Sequence, residues 1–205
     1  VAKKMGVSPK LRIIPFRGEY YNIKPDKKHL VKGLIYPVPD PNFPFLGVHF
    51  TKTVHDGLIE AGPNAVLGWA REAYRKINVN PKELLNTLTY PGFIRFALEN
   101  WMIGFNEINR SFRKRVFVKD LQKMIPEIKS SDLMTGGAGV RAQAIGRDGE
   151  LIDDFAFEFT EKSIHVLNAP SPGATSSLVI GKYIANLAIE KLTSWLKATY
   201  NIKFN

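Results

Sequence analysis

The sequence predicts an α+β fold, a mostly antiparallel sheet with helices on one side. Three observations predict it. Residues 11–54 hold short apolar runs separated by Pro, Asp and Asn turn signals. Residues 81–126 change to helical spacing, and residues 138–168 return to strand-like runs. No sequence repeat links the blocks.

In order along the chain, Leu11–Ile14 and Glu19–Ile23 read as strands, followed by Lys32–Val38 and Phe45–Thr51. Pro37, Pro39 and Pro41 argue against a central strand there and for an extended edge or lining segment. Phe93, Phe96, Ala97, Trp101, Gly104, Phe105 and Ile108 recur at helical spacing, and this broad apolar stripe is expected to face the core. Val118-Lys119-Asp120 starts a short helix that ends near Pro126. Val140–Ile145 and Ile152–Phe159, joined by Arg147-Asp148-Gly149, read as a hairpin, with a further strand at Ile164–Leu167. The last helix carries Ile180, Ile184, Leu187, Ala188, Leu192 and Trp195 on one face.

Composition narrows the chemistry. With 205 residues and 44% hydrophobic content the chain can form one substantial domain or one and a half. No apolar run approaches the roughly 18 residues that span a bilayer. The absence of Cys excludes disulfides, thiolate chemistry and Cys-based metal sites. Four scattered His lack paired ligand spacing, so no metal is expected. A net charge of +10 raises nucleic acid as a partner, yet the cations are dispersed, and no nucleic-acid role is expected. The one dense cluster, Arg110-Ser111-Phe112-Arg113-Lys114-Arg115, reads as a solvated helix end. Its alternative is peripheral contact between a cytoplasmic protein and an anionic membrane surface. Oligomeric state leaves no trace.

The segment Asn168 to Leu178 carries the most specific signal. It links an apolar strand to an amphipathic helix through Ala169-Pro170-Ser171-Pro172-Gly173-Ala174-Thr175-Ser176. Small residues let a ligand approach the backbone, and N–H groups at a helix start favour an electron-rich ligand atom. An ordinary Ser/Thr cap after a Pro-Gly turn is the competing reading.

Five further strings precede it in order: Pro15-Phe16-Arg17-Gly18-Glu19-Tyr20-Tyr21, Leu34-Ile35-Tyr36-Pro37-Val38-Pro39-Asp40-Pro41, Gly47-Val48-His49-Phe50-Thr51, Gly62-Pro63-Asn64-Ala65-Val66 and Gly139-Val140-Arg141-Ala142-Gln143. Together the six resemble the L-2-hydroxyglutarate dehydrogenase/oxidase family, a branch of the FAD-dependent, D-amino-acid-oxidase-like oxidoreductases. The resemblance runs from the first residues to about Ala188. It implies FAD as cofactor and oxidation of L-2-hydroxyglutarate to 2-oxoglutarate by hydride transfer to flavin. Residues 1–160 would form the substrate-binding domain, and 161–205 a strand-turn-helix completing the FAD-binding domain. Such a flavoprotein needs a strand, a G-x-G-x-x-G turn and a helix for the dinucleotide. The one Gly-rich stretch, Gly136-Gly137-Ala138-Gly139, leads into apparent strand instead. The expectation is therefore a C-terminal portion whose partner is the N-terminal FAD-binding half of the same protein.

Arg141 is the main candidate for the substrate carboxylate, because a guanidinium binds a carboxylate bidentately and stays charged. Its small and apolar neighbours are expected to bury much of it, and the competing reading pairs it with Asp153 or Asp154 across the hairpin. The resemblance points to the same residue. Alternation places Gly47, His49 and Thr51 on one strand face, where neutral His49 would be the base that takes the hydroxyl proton; a satisfied core histidine is the alternative. His165 reads as structural, and His29 and His55 as loop residues. Arg17, Glu19, Tyr20, Tyr36 and Asn64 lie in the family-like strings and are candidates for substrate or flavin contacts. Gly173, Ala174, Thr175 and Ser176 are the expected cofactor contacts, since the resemblance places this turn against the pyrimidine side of the flavin. The alternatives are an oxidase of another small acid, such as an amino acid or glycerol phosphate, and a non-catalytic basic binding module.

Overall fold

The computed structural model describes residues 1–38, 47–54, 56–161 and 163–200, with side chains to residue 195. Pro39, Pro41, His55 and the start of the strand expected at Phe45 lie outside these residues. The chain divides into two compact units, residues 11–151 and residues 1–10 together with 152–205.

The unit 11–151 is built on β1 (Leu11–Ile23), a 13-residue strand. Two strands with a break at Pro15 were expected; one strand forms. Pro15 has no N–H to give, but its carbonyl accepts from Gly68 N–H at 2.8 Å, so the strand continues through it. There follow β2 (His49–Lys52), β3 (Ile59–Gly62), β4 (Val66–Leu67), then α1 (Pro81–Leu88), α2 (Pro91–Glu99), α3 (Trp101–Phe112) and α4 (Lys114–Leu121), and finally β5 (Leu133–Gly146) and β6 (Leu151–Ile152). The sheet order is β2-β3-β1-β5-β6, with β4 also paired to β1. β1 runs antiparallel to β3, β4 and β5. The strand expected at 32–38 is reduced to one bridge, Ile35 with Phe50, because Pro37 cannot donate to a ladder. α4 begins at Lys114, earlier than the Val118 expected, and ends at Leu121.

Two apolar clusters hold this unit. Phe50, Ile59 and Ile23 pack with Phe117, Val118 and Leu121 of α4. Ile14, Phe16 and Ile145 pack with Tyr90, Phe93 and Phe96 around α2. The helices thus meet side chains of both parities along β1: α2 packs on Ile14 and Phe16, whereas α4 packs on Tyr21. The aromatic stripe divides accordingly. Phe93 and Phe96 are buried, but Trp101, Phe105 and Ile108 of α3 are exposed. The buried side of α3 is occupied instead by Glu107 and Ser111.

In the other unit β7 (Ala156–Phe159) pairs antiparallel with β8 (Ile164–Asn168). α5 (Ser177–Tyr200) follows. Because β7 is taken by β8, the hairpin expected between Val140–Ile145 and Ile152–Phe159 stops at β6, and residues 156–159 pack with the C-terminal segment. Asn168 secures this strand pair by donating its amide to the carbonyls of Ile152 and Asp154, at 3.0 and 2.8 Å.

Candidate functional site

Strand register assembles the site. Phe16 lies opposite Arg141 and Gly18 opposite Gly139, and residues directly opposite in a sheet share a face. Gly18 and Tyr20 on β1, Gly139 and Arg141 on β5, and Pro63 and Asn64 after β3 line a cavity of about 220 Å³. The face continues through β3 and β2, where Asn22 and Thr51 both oppose Glu60 and His49 opposes Gly62. Tyr36 closes this edge, stacking on the His49 ring at 4.4 Å with its hydroxyl 3.4 Å from that of Thr51. Glycine matters at two places. A Cβ at Gly139 would meet nothing within 4 Å, so the floor stays open beside Arg141. Gly62, at φ +155°, brings its Cα where a Cβ would strike Tyr20 Cδ1 at 2.9 Å.

Electrostatics couples these groups. His49 is half-buried, and burial lowers its pKa below the ordinary 6.5; a hydrogen bond to Gly47 opposes this, and the Arg141 cation adds to it. The Nδ1 contact is with the Gly47 carbonyl at 3.0 Å, and a carbonyl can only accept. The proton therefore sits on Nδ1, and Nε2 keeps its lone pair. The Tyr20 hydroxyl is pushed above 10.0 by burial and by the Glu60 carboxylate, while Arg141 pulls it down and Tyr36 pushes it up. Tyr20, Tyr36, His49 and Arg141 thus stand in one another's fields.

The other expected residues fall elsewhere. Arg141 itself is exposed rather than largely buried, because its neighbours Gly139 and Ala142 carry too little side chain to cover it. Arg17 lies 6% exposed on the opposite side of β1. There it pairs with Glu19 at 3.0 Å. Asn64 lines the cavity by position, but its amide turns away: Oδ1 accepts from Glu19 N–H at 2.7 Å and Nδ2 donates to Glu19 at 2.9 Å. His165 is buried against the Ser163 hydroxyl at 2.8 Å, and His29 contacts the Asp26 carbonyl.

The turn before α5 offers backbone donors. Ser176 N–H is spent on the Pro172 carbonyl at 3.0 Å, and Thr175 Oγ1 donates to the same carbonyl at 3.2 Å. The N–H groups of Gly173, Ala174 and Thr175 have no acceptor among the described residues. Three small residues with donors at the start of a 24-residue helix fit an electron-rich edge such as that of a flavin ring.

Glu19, expected as a possible ligand contact, is instead spent on Arg17, Asn64 and Ser111, and sequence alone passed over Glu60, Glu107 and Ser111. The only signal was a carboxylate, Glu107, one position from the end of an aromatic stripe, where an apolar residue or a solvated charge would be ordinary. Glu107 is 2% exposed and accepts from Ala65 N–H at 2.7 Å. Burial raises its pKa, opposed first by Arg110 and then by the Ala65 N–H. The basic cluster is also only partly solvated. Arg110 bridges Glu107 and Asp120, and Lys114 donates to the Leu133 carbonyl at 2.8 Å. No group of metal-binding side chains occurs among the described residues.

Comparison with known proteins supplies the family. Residues 1–187 match the family described as FAD dependent oxidoreductase (DAO). The chain is 56% identical over 181 residues to an L-2-hydroxyglutarate dehydrogenase of Indibacter alkaliphilus, covering 88% of this chain and 45% of that protein. It is 48% identical over 198 residues to a mitochondrial L-2-hydroxyglutarate dehydrogenase of Nematostella vectensis, covering 94% and 43%. The human protein of that name is 47% identical over 191 residues, covering 91% and 41%. The chain spans less than half the length of these relatives. With 187 of its 205 residues matched, the chain belongs to the FAD-dependent oxidoreductase family.

Proposed function

We propose that the protein works as an FAD-dependent 2-hydroxy-acid dehydrogenase or oxidase that converts L-2-hydroxyglutarate to 2-oxoglutarate. The observation that supports this most is an open cavity lined by the Arg141 guanidinium and Tyr20, with the His49 imidazole and Tyr36 beside it in the fields of those two residues. The names of the relatives support the choice of substrate.

Arg141 holds a substrate carboxylate in a two-pronged contact. Tyr20 and Tyr36 donate hydrogen bonds, and burial keeps the Tyr20 hydroxyl protonated. His49 Nε2 takes the proton of the substrate hydroxyl as the C2–H bond breaks and the carbonyl forms. FAD, when bound, supplies the two-electron acceptor for the departing hydride. Gly173, Ala174 and Thr175 would hold the electron-rich edge of the ring, while Asn64 forms part of the cavity wall and Arg17 supports the site from behind the sheet. Residues 1–160 carry substrate binding, residues 161–205 complete the flavin site, and an N-terminal half of the same protein supplies the adenosine and pyrophosphate contacts.

Mixing the FAD-loaded protein anaerobically with a panel of acids tests this. L-2-hydroxyglutarate should bleach the flavin absorbance faster than its D isomer and faster than 2-hydroxy acids with one carboxylate. Faster bleaching by an amino acid or glycerol phosphate would transfer the assignment to that substrate.

A second reading concerns location. No helix among the described residues is long and apolar enough to cross a membrane. Trp101, Met102, Phe105 and Phe112 nevertheless stand exposed on α3, next to the exposed cations Arg113 and Arg115. An apolar ridge beside positive charge suits peripheral contact of a cytoplasmic protein with an anionic bilayer. Co-sedimentation with phosphatidylserine vesicles that does not weaken in Phe105→Ser or Arg113→Ser would remove this reading.

A further inference from the structure

We infer that Ser111 and Glu107, on the buried side of α3, are positioning residues that set the wall of the substrate cavity through Glu19, Asn64 and Ala65. The inference rests on the assignment of the cavity beside Arg141 as the substrate site.

The wall is the short link between β3 and β4, and Pro63, Asn64 and Ala65 all line the cavity. Three residues outside any strand or helix have no ladder to fix them, so side-chain tethers decide where they stand. The tethers are polar and buried. Asn64 is clasped twice by Glu19, through the Glu19 backbone N–H at 2.7 Å and its carboxylate at 2.9 Å. Ser111 Oγ donates to that same carboxylate oxygen at 2.7 Å. One turn earlier on α3, Glu107 accepts from Ala65 N–H at 2.7 Å. Residues four apart on a helix stand one above the other, so α3 grips the wall at two adjacent points.

The grip is itself anchored. Arg110 pairs with Glu107 and reaches Asp120 of α4 at 2.7 Å. Lys76 joins both ends of the other tether, 3.5 Å from Glu19 and 2.5 Å from the Ser111 carbonyl. This explains why α3 turns its polar residues inward and its aromatic ones outward: Glu107 and Ser111 have buried partners, and an apolar side chain there would leave those partners unsatisfied. The wall also has room to shift when a tether is cut. On the other side of Phe16 and Ala65 lies an apolar cavity of about 410 Å³, lined also by Phe93, Phe96 and Glu107. Loss of a tether therefore moves Asn64 and Ala65 relative to Arg141, and a small misplacement of binding groups weakens substrate capture.

Ser111→Ala in the FAD-loaded protein tests this directly, because Glu19 keeps Arg17, Lys76 and Asn64 and the fold should hold. The Kd for 2-oxoglutarate by calorimetry, and the KM for L-2-hydroxyglutarate, should each rise about 5- to 10-fold. kcat should change less than about 2-fold. Tm should stay within about 3 °C, and Ser111→Thr, which keeps the hydroxyl, should restore Kd to within about 2-fold of the parent. An unchanged Kd and KM, or a loss of Tm with no loss of affinity, overturns the inference. So does a Ser111→Thr variant that is no better than Ser111→Ala. Arg141→Lys, measured alongside, separates the two levels. If it weakens 2-oxoglutarate and Ser111→Ala does not, only the positioning role fails. If neither affects binding, the cavity is not the substrate site, and the inference falls with it.

Discussion

Arg17 and Arg141 lie on neighbouring strands, each beside a glycine or alanine, yet their surroundings are opposite. Arg17 is buried and paired with Glu19 behind the sheet, whereas Arg141 stands exposed at the cavity in the fields of Tyr20 and His49. The difference is one step of strand parity: Phe16 opposes Arg141, and Arg17 opposes Val140. A guanidinium behind the sheet holds the structure together, and the same group in front is placed to hold a ligand.

The largest effect that would break this comparison is on the open face itself. His49→Asn should lower kcat/KM about a thousandfold, the range expected for loss of a general base. The base acts only when neutral, and the His49 pKa lies below its ordinary 6.5. kcat/KM should therefore rise with pH as His49 loses its proton, with the midpoint of the rise below that value, and lose this acidic limb in His49→Asn. An acidic limb that survives the substitution assigns the base elsewhere.

Next comes the buried arginine. Arg17→Ala leaves Glu19 without its closest cation and should cost about 3 kcal/mol, with Tm falling roughly 6–12 °C. A stable Arg17→Ala protein with weakened substrate binding would reverse the roles given to the two arginines. Arg141→Lys should do the opposite: kcat/KM falls 10- to 100-fold, about 1.5–3 kcal/mol, with Tm nearly unchanged. An equal loss for substrates lacking a carboxylate, or a collapse of the fold, would make Arg141 structural too. The smallest effect is the most discriminating. Arg141 helps to hold the His49 pKa down, so Arg141→Gln should move the acidic limb to higher pH, while Arg17→Lys should leave it in place. A limb that does not move would mean that Arg141 and His49 do not share one site.

α2 and α3 show where sequence legibility stops. One aromatic stripe runs through both, and its spacing correctly marks helices. Phe93 and Phe96 meet Ile14, Phe16 and Ile145, but Trp101 and Phe105 face outward. Periodicity shows that a helix is two-sided; which side is buried depends on partners far away in sequence. Here the partners are Ala65 and Glu19, 42 and 92 positions from the residues that bind them. Asn64 was visible as a member of a family-like string, yet its amide faces Glu19 and not the cavity, and only the register and the loop path decide that.

By itself the sequence determined the elements and the chemistry at hand. Alternating apolar runs made the strands, Pro and Gly marked most of the breaks, and the small-residue turn before α5 placed backbone donors at a helix start. It also excluded thiolate and disulfide chemistry outright, since the chain has no Cys. The tertiary structure decided which polar side chains meet. Pairing β1 with β5 brought residues more than 120 positions apart to one face, and it set Arg141 in front of the sheet and Arg17 behind it. The physical reason is that hydrophobic pattern is local and periodic, whereas hydrogen bonds and ion pairs between strands depend on register, which one residue of slip would invert.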